Sequence, residues 1–202
     1  MVNIAHIDVL SAGDIGGAGI SRVWFQRSDA SSPVVSDCNA AAAAVRALWG
    51  AASTYLSDDM TYTISPTVEL LAHDTGEIQG LVTLSSVPSP VTGGSSSNYA
   101  AGTGFRLNWK TQSIHNRRFI RGCNFFTPVG SGGWSTSGQV ASGAQSGMAS
   151  AIATYLAAMA SASLDPIVWH RPPKGTFSGG AVGLVLTGIL SPTPASLRSR
   201  RS

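Results

Sequence analysis

Charge is scarce in this sequence: Asp, Glu, Lys and Arg together make up 11% of its 202 residues, against about 25% in ordinary soluble domains. So poorly charged a surface suits burial against neighbouring subunits. Cysteine is scarcer still. Cys38 and Cys123 are too few and too far apart for a disulfide scaffold, and neither has a second Cys or His at zinc-ligand spacing. Both are expected to be buried free thiols. No run of 18 uncharged apolar residues occurs, so no membrane partner is expected. The first 30 residues lack the basic, apolar and small-residue order of a signal peptide. The expectation is a soluble chain that is not exported by such a peptide.

Catalytic signatures are missing too. His6, His73, His115 and His170 fall on separate elements with no HExxH or other paired spacing, so no metal is expected. No Gly-x-Ser-x-Gly elbow and no Cys–His pairing signature appears. His73-Asp74 with Glu77 reads as turn chemistry rather than acid–base machinery. The run Gly13-Asp14-Ile15-Gly16-Gly17-Ala18-Gly19 has the wrong spacing for a dinucleotide loop and leads into a strand, whereas pyrophosphate needs a helix N-terminus. The chain is therefore read as no enzyme, with no cofactor.

What the sequence does hold is a usable core, with 43% hydrophobic residues, and a division of charge along its length. Residues 1–77 carry nine acids against Arg22, Arg27 and Arg46, a net of −6. Residues 78–202 carry ten bases against Asp165 alone, a net of +9. Opposite halves suit contact between successive copies, or contact of the basic half with nucleic acid.

A gapless shift of 100 residues matches Ile20 with Ile120, Phe25 with Phe125, Thr54-Tyr55-Leu56 with Thr154-Tyr155-Leu156, and Pro66 with Pro166. It also matches Val68, Gly80, Val82 and Leu84 with Val168, Gly180, Val182 and Leu184. Local patterns agree. In the first half, strands over Ile4 to Leu10 and Ile20 to Arg27 flank a loop over Gly13 to Gly19. A helix capped by Ser36 or Asp37 follows, with Ala41, Val45, Leu48, Trp49, Ala52, Tyr55 and Leu56 on one stripe. Strands over Thr61 to Ala72 and Ile78 to Ser85 close it around the turn His73-Asp74-Thr75-Gly76.

The second half repeats the order. Phe105 to Ile114 and Arg117 to Thr127 form a hairpin, and Gln139 to Ala162 a helix with Met148, Ile152, Tyr155, Leu156 and Met159 inward. Ile167 to Arg171 and Val182 to Leu190 complete it. The expected fold is α+β. Two tandem ββαββ-like halves, 1–85 and 105–202, are joined by the Ser/Pro/Gly-rich connector 86–104 and fused into one unit with antiparallel sheets and two main helices.

In the hairpin, His115-Asn116 as a two-residue turn pairs Ile114 with Arg117, Lys110 with Arg121 and Trp109 with Gly122. One face then carries Phe105, Leu107, Trp109, Ile120 and Phe126. The other carries Arg106, Lys110, Arg117 and Arg121 with Phe119 and Phe125 between them, Arg118 standing beside Arg117 in sequence. Like charges placed opposite one another destabilise unless an anion sits between them, so the basic face is a candidate for nucleic acid or a neighbouring subunit. Arg198, Arg200 and Arg201 form a short basic tail of the same kind.

The run Gly104-Phe105-Arg106-Leu107-Asn108-Trp109-Lys110-Thr111, the answering Arg117-Arg118-Phe119-Ile120-Arg121-Gly122 and the closing Leu197-Arg198-Ser199-Arg200-Arg201 resemble segments of capsid-like structural proteins of small viruses from environmental genomes. The resemblance covers about a third of the chain. It implies a capsid or capsid-like subunit, a homo-oligomer located in the virion, or in the cytoplasm if the chain is not viral. The missing N-terminal basic arm departs from many such proteins and argues against direct genome packaging. The alternative is a nucleic-acid-binding module that holds single-stranded DNA or RNA on residues 105–127 and the arginine tail.

Overall fold

The computed structural model describes residues 3–13, 17–72, 75–95, 104–112, 118–120, 127–128, 142–167 and 181–187. Strands β1 (Asn3–Gly13) and β2 (Gly17–Arg27) lead into helix α1 (Val35–Ala52), a 3-10 turn (Ser53–Tyr55), and strands β3 (Met60–Ala72), β4 (Ile78–Thr83) and β5 (Val91–Thr92). Strands β6 (Gly104–Gln112), β7 (Arg118–Ile120) and β8 (Thr127–Pro128), helix α2 (Ser142–Ser161), and strands β9 (Leu164–Ile167) and β10 (Ala181–Thr187) follow. The fold is mixed α+β, with antiparallel sheets and two helices.

The larger sheet runs β4-β3-β1-β2-β9, with β5 also paired to β3. A second sheet runs β10-β6-β7, with β8 paired to β6. Alternation along β1 sends Ala5, Ile7 and Val9 to the helix side, where they join Val23, Phe25, Val68 and the buried face of α1 in one apolar cluster. Helix α2 packs against α1 and β9. It adds Met148, Ile152, Tyr155 and Met159 to the same cluster, each at most 2% exposed. Each such burial contributes about 1.5–3 kcal/mol, so parts of both halves are held by one core. Small residues let the helices approach closely: a Cβ on Gly147 of α2 would collide with the Tyr55 ring.

Several boundaries differ from expectation for identifiable reasons. The first helix is capped at Val34, not at Ser36 or Asp37. The Asp37 carboxylate, in the first turn, reaches back to accept the Val34 N–H at 2.9 Å, an arrangement that needs the acid inside the helix. Tyr55 leaves the helical stripe because α1 ends at Ala52 and tightens into the 3-10 turn. Tyr155 lies within α2, so the Tyr55/Tyr155 match does not join equivalent positions. A shift of 100 carries α1 onto 135–152, whereas α2 occupies Ser142–Ser161.

Among the described residues, two strands precede α1 and three follow it, whereas three precede α2 and two follow it, and the pairing does not repeat either. β3 pairs with β1, whereas β9 pairs with β2 of the first half and β10 takes the place beside β6. Residues 86–104 are more than a connector: β5 pairs with β3, Ser57 bridges Ser95, and Gly104 opens β6. Strand β9 begins at Leu164, before the expected Ile167, because Arg27 and Leu164 pair at the foot of β2.

Candidate functional site

The face of the larger sheet turned away from the helices carries the most unusual grouping among the described residues. Even-numbered positions of β1 point there. Leu71 of β3 and Ile4 of β1 are buried on that face, with Trp24 of β2 packed against them. Next to them His6 is 3% exposed, its ring edge-on to Trp24 with centroids 4.5 Å apart. A carboxylate only accepts, so His6 Nε2 is the donor in its 2.9 Å bond to Glu69 Oε2 across the β1–β3 pair. Its Nδ1 lies 3.2 Å from Asp8 Oδ1, outside hydrogen-bond geometry, and Arg22 Nε of β2 donates to that same oxygen at 3.2 Å. Arg22, Asp8, His6 and Glu69 thus form a polar strip across three adjacent strands. Two residues apart on a strand, His6 and Asp8 share a face, and this period of two is the sequence signal that marks the strip.

Apolar side chains flank the strip. Leu10 and Ile20 are opposite one another on β1 and β2, exposed by 42% and 61%. Ile78 and Leu81 of β4 are exposed by 61% and 64%, opposite Leu71 and Glu69. Four of the seven large exposed apolar side chains among the described residues therefore gather on one sheet face. The grouping thus joins a buried imidazole tied to Glu69 with exposed apolar side chains on one sheet face.

The helix side holds polar ties that organise the fold. Arg27 at the end of β2 bonds Asp29 with Nε and Nη2, at 3.1 and 3.0 Å, and Asp37 with Nη1 at 2.8 Å. Hydrogen bonds from Arg27, then Ser31, hold the Asp29 carboxyl well below the usual carboxylate range, and the two acids raise the Arg27 guanidinium in turn. Burial, then the neighbouring Asp37, pushes the Cys38 thiol up to about 12, so it is an inert core group. Burial, followed by Asp59, likewise raises Tyr62, whose phenol lines a cavity of about 10 Å³ beside Trp49 and Val45. That is room for one water.

The basic hairpin is built differently from its expected form. β6 and β7 pair Lys110 with Ile120, Thr111 with Phe119 and Gln112 with Arg118. Lys110 therefore does not stand opposite Arg121. One residue of slip moves every β7 position to the other face of the pair, which places Arg118 and Ile120 on the Lys110 side and takes Phe119 from it. The turn expected at His115-Asn116 lies outside the described residues. Arg106 is opposite Thr187 of β10, which sets the hairpin inside a sheet rather than apart from one. Arg117, Arg121, Arg198, Arg200 and Arg201 lie outside the described residues, as do His73, Asp74 and Cys123.

No group of three His, Cys, Asp or Glu side chains among the described residues is placed to hold a metal ion, and no helix among them is long and apolar enough to cross a membrane. Comparison with protein-family models, curated proteins and solved structures finds no match to the chain.

Proposed function

We propose that this chain is a self-assembling structural protein, a subunit of a viral capsid or a capsid-like shell. The observation that carries the proposal is the outer sheet face, where Leu10, Ile20, Ile78 and Leu81 stand exposed around the His6 strip in a chain with 11% charged residues. Apolar patches rimmed by polar groups mark contact surfaces, and burial of such a patch gains free energy in proportion to its area. The −6 and +9 division of charge supports contacts between unlike halves of neighbouring copies. Electron microscopy of the purified full chain, with sedimentation at low salt, tests the proposal. Closed shells, tubes or discrete oligomers are expected, and a monomer at high concentration ends it.

Nucleic-acid binding by residues 105–127 and the arginine tail is the alternative proposal, supported by the bases Arg106, Lys110 and Arg118 on β6 and β7. The observed register changes the set of bases: Arg118 shares a side of the pair with Arg106 and Lys110, and Arg121 is not the residue opposite Lys110. Under this alternative, Lys110→Gln with Arg121→Gln reduces the slope of log affinity against log salt by roughly 0.7–0.9 per lost phosphate contact and leaves assembly unchanged. An unaltered slope removes it.

Descent of both halves from one ββαββ unit belongs to the same proposal. One helix set between strands in each half, and the presence of Pro66 and Pro166 in strands, support it. The different strand pairing requires that the copies diverged after duplication.

A further inference from the structure

Strand β4 ends the larger sheet, and among the described residues no strand pairs with its outer side. Proteins guard such edges with charge, proline or bulges, because an open ladder accepts any matching strand. The opposite end of the sheet follows that rule: β9 carries Asp165 and Pro166. β4, Ile78-Gln79-Gly80-Leu81-Val82-Thr83, carries neither charge nor proline. Its one irregularity is the register shift near Gln79, which leaves Gly80 to Thr83 in regular pairing with β3.

Which backbone groups face outwards follows from one bond. Leu84 N–H donates to the Pro66 carbonyl at 2.9 Å, so the alternation of an antiparallel ladder turns the N–H and C=O of Leu81 and Thr83 away from β3. Leu81 thus presents a donor, an acceptor and a side chain 64% exposed. Gly80, beside the register shift, leaves room at this edge: a Cβ there would meet no described atom within 4 Å.

We infer that β4 is an assembly edge, at which two copies of this chain pair antiparallel across a two-fold axis at Leu81. The inference rests on the self-assembly reading and names its contact. In this register the two Leu81 residues exchange N–H···O=C bonds, the partner's Val82 lies over Gly80, and Gln79 meets the partner's Thr83. Self-pairing is favoured over a charged partner because β4 offers no charge to complement one. It also sets no like charges opposite, since Glu77 meets the partner's Ser85. The result is a continuous sheet through both copies, an isologous contact compatible with a larger closed assembly.

Two variants of the full chain test it. Leu81→Lys puts a charge on an exposed edge position, and the assembly is expected to fall to a smaller species in sedimentation with the far-ultraviolet circular dichroism unchanged. Leu81→Cys, with Cys123→Ser, is expected to give a disulfide-linked dimer on a non-reducing gel, because directly bonded antiparallel pairs have Cα atoms about 5.5 Å apart, within disulfide reach. The cross-link decides the matter if Leu81→Lys does not fold. Wild-type assembly with an unaltered Leu81→Lys species and no cross-link overturns the edge and leaves self-assembly standing. A monomeric wild type overturns both.

Discussion

His6 and Glu69 tie the two central strands of the larger sheet through a side-chain bond of 2.9 Å, on a face where the imidazole is only 3% exposed. Removing the acceptor leaves a buried donor unsatisfied, which costs about 1–3 kcal/mol. Glu69→Ala is therefore expected to lower stability by that amount in urea unfolding, with Glu69→Gln, which keeps an acceptor, losing less. Equal midpoints for wild type and Glu69→Ala would show that the pair contributes nothing.

Cys38 holds its proton up to about 12, above its ordinary 9.0. In that window the folded chain keeps a proton that the unfolded chain has lost, so stability falls as pH rises from about 9 towards 12 and is fully present below 9. Cys38→Ala is expected to flatten the alkaline decline, leaving the part due to Tyr62, which acts in the same direction. Thiol titration at pH 8 should find Cys38 unreactive until denaturant is added. Rapid labelling of the native thiol at pH 8 would contradict its burial.

Gly93 and Gly147 both lie where a Cβ has no room, but the obstacles differ. At Gly93 the added atom meets the Ser57 backbone carbonyl, and at Gly147 it meets the Tyr55 side chain, which is only half-buried. Gly93→Ala is expected to cost about 1–3 kcal/mol, and Gly147→Ala less, because a ring can move where a bonded backbone cannot. Thermal melts that reverse this order would refute the assigned contacts.

Asp37 accepts from Val34 N–H at 2.9 Å and from Arg27 at 2.8 Å, joining the start of α1 to the end of β2. Its loss removes a helix-end partner and an ion pair together. Asp37→Ala is expected to lower the unfolding midpoint by the equivalent of about 1–2 kcal/mol. An unchanged midpoint would mean that water replaces both contacts without loss.

The β6–β7 register can be read chemically. Lys110→Cys with Ile120→Cys, in a Cys123→Ser chain, is expected to close an intramolecular disulfide, since opposite positions have Cα atoms about 4.5–5.5 Å apart, within disulfide reach. Lys110→Cys with Arg121→Cys is expected to stay reduced. The reverse result would restore the two-residue turn and the cationic strip.

Period and punctuation marked the elements of the first half, with the stripe from Ala41 to Leu56 finding α1 but overrunning its end at Ala52 by about one turn. Register was less legible. Within β6 and β7 the bases Arg106, Lys110 and Arg118 stand at even positions and Phe105, Trp109 and Phe119 at odd ones, but Arg117 and Arg121 beside β7 are odd, so charge alone did not choose between the two registers. The His6 strip was hidden for a different reason. His6, Arg22 and Glu69 are far apart in sequence, and only the order β3-β1-β2 makes neighbours of them.

The sequence alone determined the class of fold, the positions of the main strands and helices, and the burial of Trp49 and Cys38, because each depends on local period, composition and helix-face spacing. Only the tertiary structure decided that β9 leaves its own half to pair with β2, that β5 folds back on β3, and that the uncharged β4 ends the sheet. Strand pairing is a long-range choice in which every partner offers the same backbone groups, so it is settled by packing of the assembled core and not by any one segment.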